Sequence, residues 1–229
     1  MSERVTIPLT DGRMPADLWL PEGAEGPGVV LVQEIFGVSP YIRQRAADLA
    51  DLGYVVLVPH LFWRLGVTSV PNGPEMLGQG MDLASRFDWE TGVTDTVAAL
   101  RALRERPSVI GRAGLLGFCF GGGMAFNVAA VDAPDALVAY YGSALPDLLH
   151  LAPQLTAPAL FHFGTADGYL DPEKVARITE AVEANGARVE LHEGADHAFD
   201  NPDFVNYHAE ASAAAWQQTT AFLREHLAR

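Results

Sequence analysis

The chain of 229 residues is 49% hydrophobic and 19% charged, a balance typical of a well-packed globular protein and not of a disordered one. Fifteen Lys and Arg against 29 Asp and Glu give a formal net charge of −14, which disfavours binding to nucleic acid or to anionic membranes. One cysteine excludes an internal disulfide and fits a reducing compartment. No apolar secretory segment is visible near residue 1, so we expect a cytoplasmic protein with one domain over 1–229.

Short apolar runs alternate with helical patterns along the chain. The runs at 5–9 and 14–20 flank Asp11-Gly12, a hairpin signal. Further strands are predicted at 28–33, 54–58, in the run ending at 117, and at 136–141, 158–163 and 188–192. Helices are predicted from Ser39-Pro40 to 53, over 93–103, from 121 to about 131, from Pro172 to near 185, and over 207–227. The Pro- and Gly-rich segment 59–80 is expected to be a loop or small cap beside the site. This alternation predicts an α/β fold with a mostly parallel sheet of about eight strands and helices on both faces.

The most informative stretch is Gly117-x-Cys119-x-Gly121, between a predicted strand and a predicted helix. It has the form of the strand-turn-helix elbow of an α/β hydrolase, with cysteine at the position where serine is usual. A Cβ at either glycine would clash in so sharp a turn, and the helix N-terminus favours a thiolate at its tip. Two alternatives remain open: an inert buried cysteine, and a membrane span over the uncharged run 113–131. Its glycines and Asn127 weigh against the span.

An acid and a histidine follow the elbow in the order that this fold requires, each after a predicted strand. Asp167 follows 158–163, and His197 follows 188–192. An imidazole takes the proton of the nucleophile, and a carboxylate orients the imidazole. The alternatives are an Asx turn formed by Asp167 and an ordinary surface position for His197. Asp171 is a nearby competitor for the acid, but it precedes Pro172 and has the features of a helix N-cap. A metal site built from His192, Asp196 and His197 lacks a recognised ligand spacing.

Over nearly its full length the chain resembles the dienelactone hydrolase (carboxymethylenebutenolidase) family of the α/β hydrolase superfamily. The matching pieces are Gln33-Glu34-Ile35-Phe36-Gly37, Pro59-His60-Leu61-Phe62-Trp63-Arg64, Gly117-Phe118-Cys119-Phe120-Gly121-Gly122, Tyr140-Tyr141-Gly142 and Ala195-Asp196-His197-Ala198-Phe199. The resemblance implies that a Cys119–His197–Asp167 triad cleaves a small ester or lactone through a thioacyl-enzyme, without cofactor or metal. It also implies that Glu34 assists deprotonation of Cys119. For Glu34 considered on its own, the alternative is a structural salt bridge. An oxyanion hole is expected from the backbone N–H groups of Phe120 and Ile35.

The chain departs from the family in the residues that hold a substrate carboxylate. The family places one arginine before the position of Phe87 and one just after the catalytic histidine, whereas 75–83 has no arginine here and Asn201 occupies the second position. We therefore expect a preference for neutral esters, with Phe36, Arg64, Tyr141 and Asn201 as candidate substrate contacts. A thioesterase, a promiscuous carboxylesterase, and a non-catalytic binding or thiol redox-sensing protein are the alternatives. The expected partner is a small-molecule substrate alone, and the chain is expected to be a monomer or homodimer.

Overall fold

The computed structural model describes residues 2–228, in which eight strands form one sheet of order β1-β2-β4-β3-β5-β6-β7-β8. The strands are Ser2–Leu9 (β1), Gly12–Trp19 (β2), Gly26–Val32 (β3), Val55–Pro59 (β4), Val109–Phe118 (β5), Leu137–Tyr140 (β6), Ala159–Gly164 (β7) and Arg188–His192 (β8). Strand β2 is antiparallel to both of its neighbours, β1 and β4. All other neighbouring strands are parallel. The predicted mostly parallel sheet of about eight strands is confirmed.

Seven α-helices surround this sheet among the described residues. They are Pro40–Asp51 (α1), Met76–Arg86 (α2), Trp89–Arg104 (α3), Phe120–Val131 (α4), Leu145–Leu148 (α5), Pro172–Glu183 (α6) and Ala209–Leu227 (α7). Two 3₁₀ segments, Leu61–Leu65 and Leu149–Gln154, complete the structure. As predicted, α1 begins at Pro40, and Ser39 is its N-cap. The Ser39 hydroxyl accepts a hydrogen bond from the Ile42 N–H.

The sheet register shows that helices cover both faces. Gly28 of β3 pairs with Ala113 of β5, and the next pair is Val29 with Gly114. Successive residues of a strand point to opposite faces. The space beside Gly28 is filled by Leu103 of α3, whereas the space beside Gly114 is filled by Leu227 of α7. These two helices therefore pack on opposite faces, in agreement with the predicted layers.

One part of the chain differs from the sequence-based expectations, and one alternative can be compared with the structure. The segment 59–80 is not wholly irregular, since it contains the 3₁₀ turn Leu61–Leu65 and the start of α2 at Met76. Helix α2 has two glycines and no side-chain N-cap, so the ordinary signals of a helix are weak there. The uncharged run 113–131 is divided between β5 and α4. Within residues 2–228, the structure contains no helix with the length and apolar character needed to cross a membrane.

Candidate active site

Cys119 occupies a sharp turn between β5 and α4. Its backbone has φ 53° and ψ −114°, a conformation that a non-glycine residue rarely adopts, so the surrounding structure must hold it there. A Cβ on Gly117 would lie 2.0 Å from the Gly121 carbonyl oxygen, and one on Gly121 would lie 2.4 Å from the Gln33 carbonyl oxygen. Only glycine fits at these two positions, as the elbow predicts. The turn leaves Cys119 8% exposed at the N-terminus of α4.

The three residues of the predicted triad form an unbroken chain of contacts. His197 Nε2 lies 3.0 Å from Cys119 Sγ, and Nδ1 of the same ring lies 2.9 Å from Asp167 Oδ2. The other Asp167 oxygen, Oδ1, accepts from the backbone N–H of Tyr169 and of Leu170, at 2.8 and 2.9 Å. The acceptor at Nδ1 is a carboxylate, so Nδ1 carries a hydrogen and Nε2 faces the thiol.

Two other aspartates near the triad, Asp171 and Asp196, have structural partners instead. The Asp171 side chain accepts from the Lys174 N–H and caps α6, as predicted. The Asp196 side chain accepts from the backbone N–H groups of Gly168 and His197, at 2.9 and 2.6 Å. The structure thus brings Asp167, and neither of these, to the His197 ring.

The electrostatics favour a charged histidine beside the cysteine. Burial acts to lower the pKa of His197, but the charge of Cys119 and the hydrogen bonds with Asp167 and Cys119 outweigh it and raise the pKa to about 11. The geometry and the field both suit a thiolate–imidazolium pair. Such a pair needs no external base to generate the nucleophile.

Glu34 lies just beyond the end of β3 and is fully buried. Its Oε2 accepts from Asn201 Nδ2 at 2.8 Å. Burial raises the pKa of Glu34 to about 8; the Asn201 hydrogen bond and the charge of His197 oppose this rise, while Asp200 and Asp203 reinforce it. No salt bridge to Glu34 is present within residues 2–228, in contrast to the structural alternative considered from the sequence.

A cavity of about 300 Å³ opens onto Cys119 and His197. This volume is at the lower end of the range of small-molecule sites. Most of its wall is apolar, and no Lys or Arg of the described chain lines it; the lining residues are Glu34, Ile35, Phe36, Leu77, Met81, Ala84, Trp89, Cys119, Phe120, Ser143, Ala144, Tyr169, His197, Ala198 and Phe204. A larger groove of about 530 Å³ between α6 and β8 contacts none of the triad.

The expected oxyanion donors lie at this cavity. Phe120 is the first residue of α4, where a backbone N–H has no acceptor within its own helix. Neither its N–H nor that of Ile35 donates a backbone hydrogen bond within residues 2–228, and both residues line the cavity. Both donors are therefore free to bind an oxygen of a ligand.

Of the four candidate substrate contacts, the structure brings only Phe36 to the cavity wall. The Arg64 guanidinium lies outside it, where it pairs with Asp11 and Asp95 and stacks on Trp63. Asn201 is buried and holds Glu34. Tyr141 is buried against His197, with ring centroids 5.2 Å apart.

The structure adds several cavity residues that the sequence motifs did not indicate. Ser143 is one of them, with its Oγ 3.9 Å from Cys119 Sγ. The sequence signal that could have indicated Ser143 as a cavity residue is its position directly after the family motif Tyr140-Tyr141-Gly142. Leu77, Met81 and Ala84 come from α2, which sequence patterns did not predict as a helix.

His162 and His192 lie apart from the cavity. His162 Nδ1 and His192 Nε2 lie 3.1 Å apart, both buried in the sheet. Within residues 2–228, no group of three or more His, Cys, Asp or Glu side chains is arranged to hold a metal ion.

Several known proteins resemble this chain over nearly its full length. Residues 14–227 match the dienelactone hydrolase family. A carboxymethylenebutenolidase of Pseudomonas putida is 36% identical over 97% of this chain and 96% of its own. Carboxymethylenebutenolidase 1 of Cupriavidus pinatubonensis is 34% identical over 93% of this chain and 92% of its own.

A solved structure extends the likeness to three dimensions. The putative dienelactone hydrolase of Klebsiella pneumoniae subsp. pneumoniae has a TM-score of 0.87 and 28% identity, and the match covers 98% of both chains. The likeness therefore covers nearly the whole of both chains. With a family match that spans nearly the whole sequence and full-length relatives above 30% identity, this chain belongs to the dienelactone hydrolase family.

Proposed function

We propose that this hydrolase cleaves small, uncharged carboxylic esters or lactones through a Cys119 thioacyl-enzyme, with His197 as acid and base and Asp167 as its orienting partner. The observation that carries the proposal is the unbroken Cys119–His197–Asp167 chain at 3.0 and 2.9 Å, which ends in an apolar cavity. A nucleophile, a base and an orienting group within hydrogen-bond reach are the requirements of covalent acyl transfer.

The first half of the reaction forms the thioacyl-enzyme. The Cys119 thiolate attacks the ester carbonyl carbon, and the N–H groups of Phe120 and Ile35 bind the oxygen that becomes negative. As the tetrahedral intermediate collapses, the C–O bond breaks and the His197 imidazolium donates its Nε2 proton to the departing alkoxide. Asp167 stabilises the charged ring beforehand and keeps it oriented throughout.

The second half releases the acid. Neutral His197 takes a proton from water, and the resulting hydroxide attacks the thioester carbonyl. The C–S bond then breaks and leaves the thiolate beside the re-formed imidazolium. The product carboxylic acid gives up its proton to solvent, so each turnover consumes one water and returns Cys119 and His197 to their starting states.

The preference for uncharged substrates rests on the composition of the cavity wall. Glu34 lines the cavity, and no cationic residue of the described chain does. Arg64 already has two carboxylate partners, and Asn201 contacts Glu34 instead of facing the cavity. A buried substrate carboxylate without a charge-assisted donor loses roughly 1.5–3 kcal/mol, or about tenfold to a hundredfold in kcat/KM per lost contact.

Two measurements test the proposal. Iodoacetamide is expected to label Cys119 and abolish hydrolysis of an activated aryl ester, and Cys119→Ala is expected to be inactive on the same ester. Ser143→Ala serves as a matched control at the same cavity and should retain most activity. Full turnover by Cys119→Ala would refute the thioacyl route.

Substrate charge is tested separately, with a neutral aryl ester and a dienelactone of matched reactivity. The neutral ester is expected to have the higher kcat/KM. A preference for the dienelactone that disappears in Arg64→Ala would overturn the charge argument and identify Arg64 as the anchor of the carboxylate.

A further inference from the structure

Exposed apolar side chains gather at the mouth of the cavity that opens onto Cys119 and His197. Among the described residues, nine large apolar side chains are exposed, and three of them line this one cavity: Leu77 at 38%, Met81 at 51% and Tyr169 at 50%. Cys119 and His197, by contrast, are buried at its floor. Single exposed apolar residues are ordinary, but a cluster that continues a functional cavity indicates a binding surface.

Helix α2 carries more apolar surface than its own packing uses. Its buried face consists of Met76, Gly80 and Leu83. A neighbouring stripe with the same spacing lines the cavity and consists of Leu77, Met81 and Ala84. The segment 75–83 contains no Lys or Arg, so no cation interrupts this stripe. The hydration of Leu77 and Met81 is unfavourable, and an apolar ligand that covers them would remove that cost.

Helix α2 lies directly on the loop that follows β3. A Cβ added to Gly80 would lie 2.9 Å from Phe36 Cδ1 and 3.1 Å from Ile35 Cγ1, so the helix approaches this loop as closely as glycine allows. Ile35 is the expected oxyanion donor of the loop, and both Ile35 and Phe36 line the cavity. Leu77 and Met81 therefore continue, toward solvent, the apolar wall that begins beside the reacting carbonyl group.

The three substituents of the reacting carbonyl carbon have different neighbours. Its oxygen faces the N–H groups of Phe120 and Ile35. The alcohol oxygen lies beside His197, because it takes its proton from that ring. The Tyr169 ring lies 4.9 Å from the His197 ring, so Tyr169 borders the alcohol group. The wall formed by α2 is left for the third substituent, the acyl chain.

We infer that the substrates of this enzyme carry an apolar acyl chain that extends beyond the buried part of the cavity and lies on Leu77 and Met81 of α2. The inference rests on the proposed function and narrows its substrate class to esters of medium-chain aliphatic acids. The flexible thioether of Met81 suits such a surface, because it adapts to chains of different length. The favourable contribution grows with each methylene group that α2 removes from water.

Chain-length kinetics test this inference in the intact enzyme. On p-nitrophenyl esters, kcat/KM is expected to rise from acetate through butyrate and hexanoate to octanoate, by up to about fourfold for each methylene that becomes buried. Met81→Ser should lower the octanoate-to-acetate ratio of kcat/KM by about tenfold. Leu191→Ser, at an exposed leucine of the groove between α6 and β8, is the matched control and should leave the ratio unchanged.

Two kinetic outcomes would overturn the inference. One is an octanoate-to-acetate ratio that is the same in Met81→Ser as in the wild type, or that falls equally in Leu191→Ser. The other is an effect of Met81→Ser on acetate esters of long-chain alcohols alone, which would place the alcohol group on α2 in place of the acyl chain.

A binding measurement tests the apolar surface without turnover. Methyl hexyl ketone has the carbonyl group and the chain of such a substrate but no leaving group, and methyl ethyl ketone is its short-chain counterpart. Calorimetry with Cys119→Ala should show about tenfold tighter binding of the longer ketone, with a more negative change in heat capacity. The difference should shrink in the double variant Cys119→Ala/Met81→Ser. Equal affinities for the two ketones would overturn the inference. Because these proteins lack the nucleophile, the result does not depend on the thioacyl route, whose failure would instead appear as ester turnover by Cys119→Ala.

Discussion

Asp167 and Glu34 are chemically the same group in two contrasting loops of one site. Each lies after a parallel strand, β7 for Asp167 and β3 for Glu34, and each is buried. Asp167 receives hydrogen bonds from two backbone N–H groups and contacts the His197 ring, whereas Glu34 has one amide donor and a free oxygen. The donors around a buried carboxyl group, and not burial itself, decide whether it can carry a negative charge.

Asp200 adds a third carboxyl group to the comparison. It is completely buried three residues after His197, and both of its oxygens bind Arg45. The hydroxyl groups of Tyr41 and Ser212 donate to the same carboxylate. This network ties the His197 loop to α1 and α7, so a charge that would be costly alone becomes a structural anchor.

The largest effect that the comparison predicts is on turnover in Asp167→Asn. An amide can present the wrong hydrogen-bonding group to His197 Nδ1, and loss of the ring's orientation and charge stabilisation costs about 10⁴-fold in kcat in a comparable triad. Steady-state kinetics on an activated ester would measure it. Asp171→Asn is the matched control, since it alters only the cap of α6 and should leave kcat nearly unchanged. A larger loss in the control than in Asp167→Asn would show that Asp167 is not the orienting residue.

The next effect concerns stability. Asp200→Asn breaks the ion pair with Arg45 and leaves a largely buried guanidinium without its partner, so we expect a loss of about 3–5 kcal/mol in the free energy of unfolding. Urea denaturation measures this loss. Asp48 is the other carboxylate partner of Arg45, with its Oδ2 3.1 Å from Arg45 Nη1 and its side chain 27% exposed. Asp48→Asn should therefore cost at most about 1 kcal/mol. Equal effects in the two variants would mean that burial of Asp200 adds nothing to the pair.

Much of this site could be predicted from the sequence because its backbone geometry constrains residue type. The elbow needs glycine at 117 and 121 and a reactive side chain at 119, and the order of strands then places Asp167 and His197 at the same edge of the sheet. The glycines and the reactive residue of the elbow are local requirements, so the residue types alone indicate them.

Other features depend on contacts between distant parts of the chain. Arg64 is held by Asp11, 53 residues away in the sequence, and by Asp95, 31 residues away. Only tertiary packing brings these partners together. The same holds for Asn201, whose partner Glu34 is 167 residues away. Helix α2 is hard to predict for another reason: its own helix signals are weak, and it is held by packing such as that of Gly80 against Phe36 and Ile35.

The last predicted effect, at most about 1.4 kcal/mol for each pH unit, is a pH dependence of stability that arises from Glu34. Burial raises the pKa of Glu34 to about 8 in the folded protein, whereas the ordinary value of 4.5 applies in the unfolded chain. Between these two pH values the folded protein therefore holds a proton that the unfolded chain has released. The free energy of unfolding contributed by Glu34 therefore falls as the pH rises through this window, by at most about 1.4 kcal/mol per pH unit. In Glu34→Gln no group titrates at this position, so the wild type should become less stable relative to the variant from pH 5 to 8 and the difference should level off above that. Urea denaturation of both proteins at pH 5, 6, 7 and 8 measures the difference, and the contribution of His197 largely cancels because both proteins contain it. A constant difference, or one that favours the wild type at higher pH, would mean that Glu34 is charged in the folded protein.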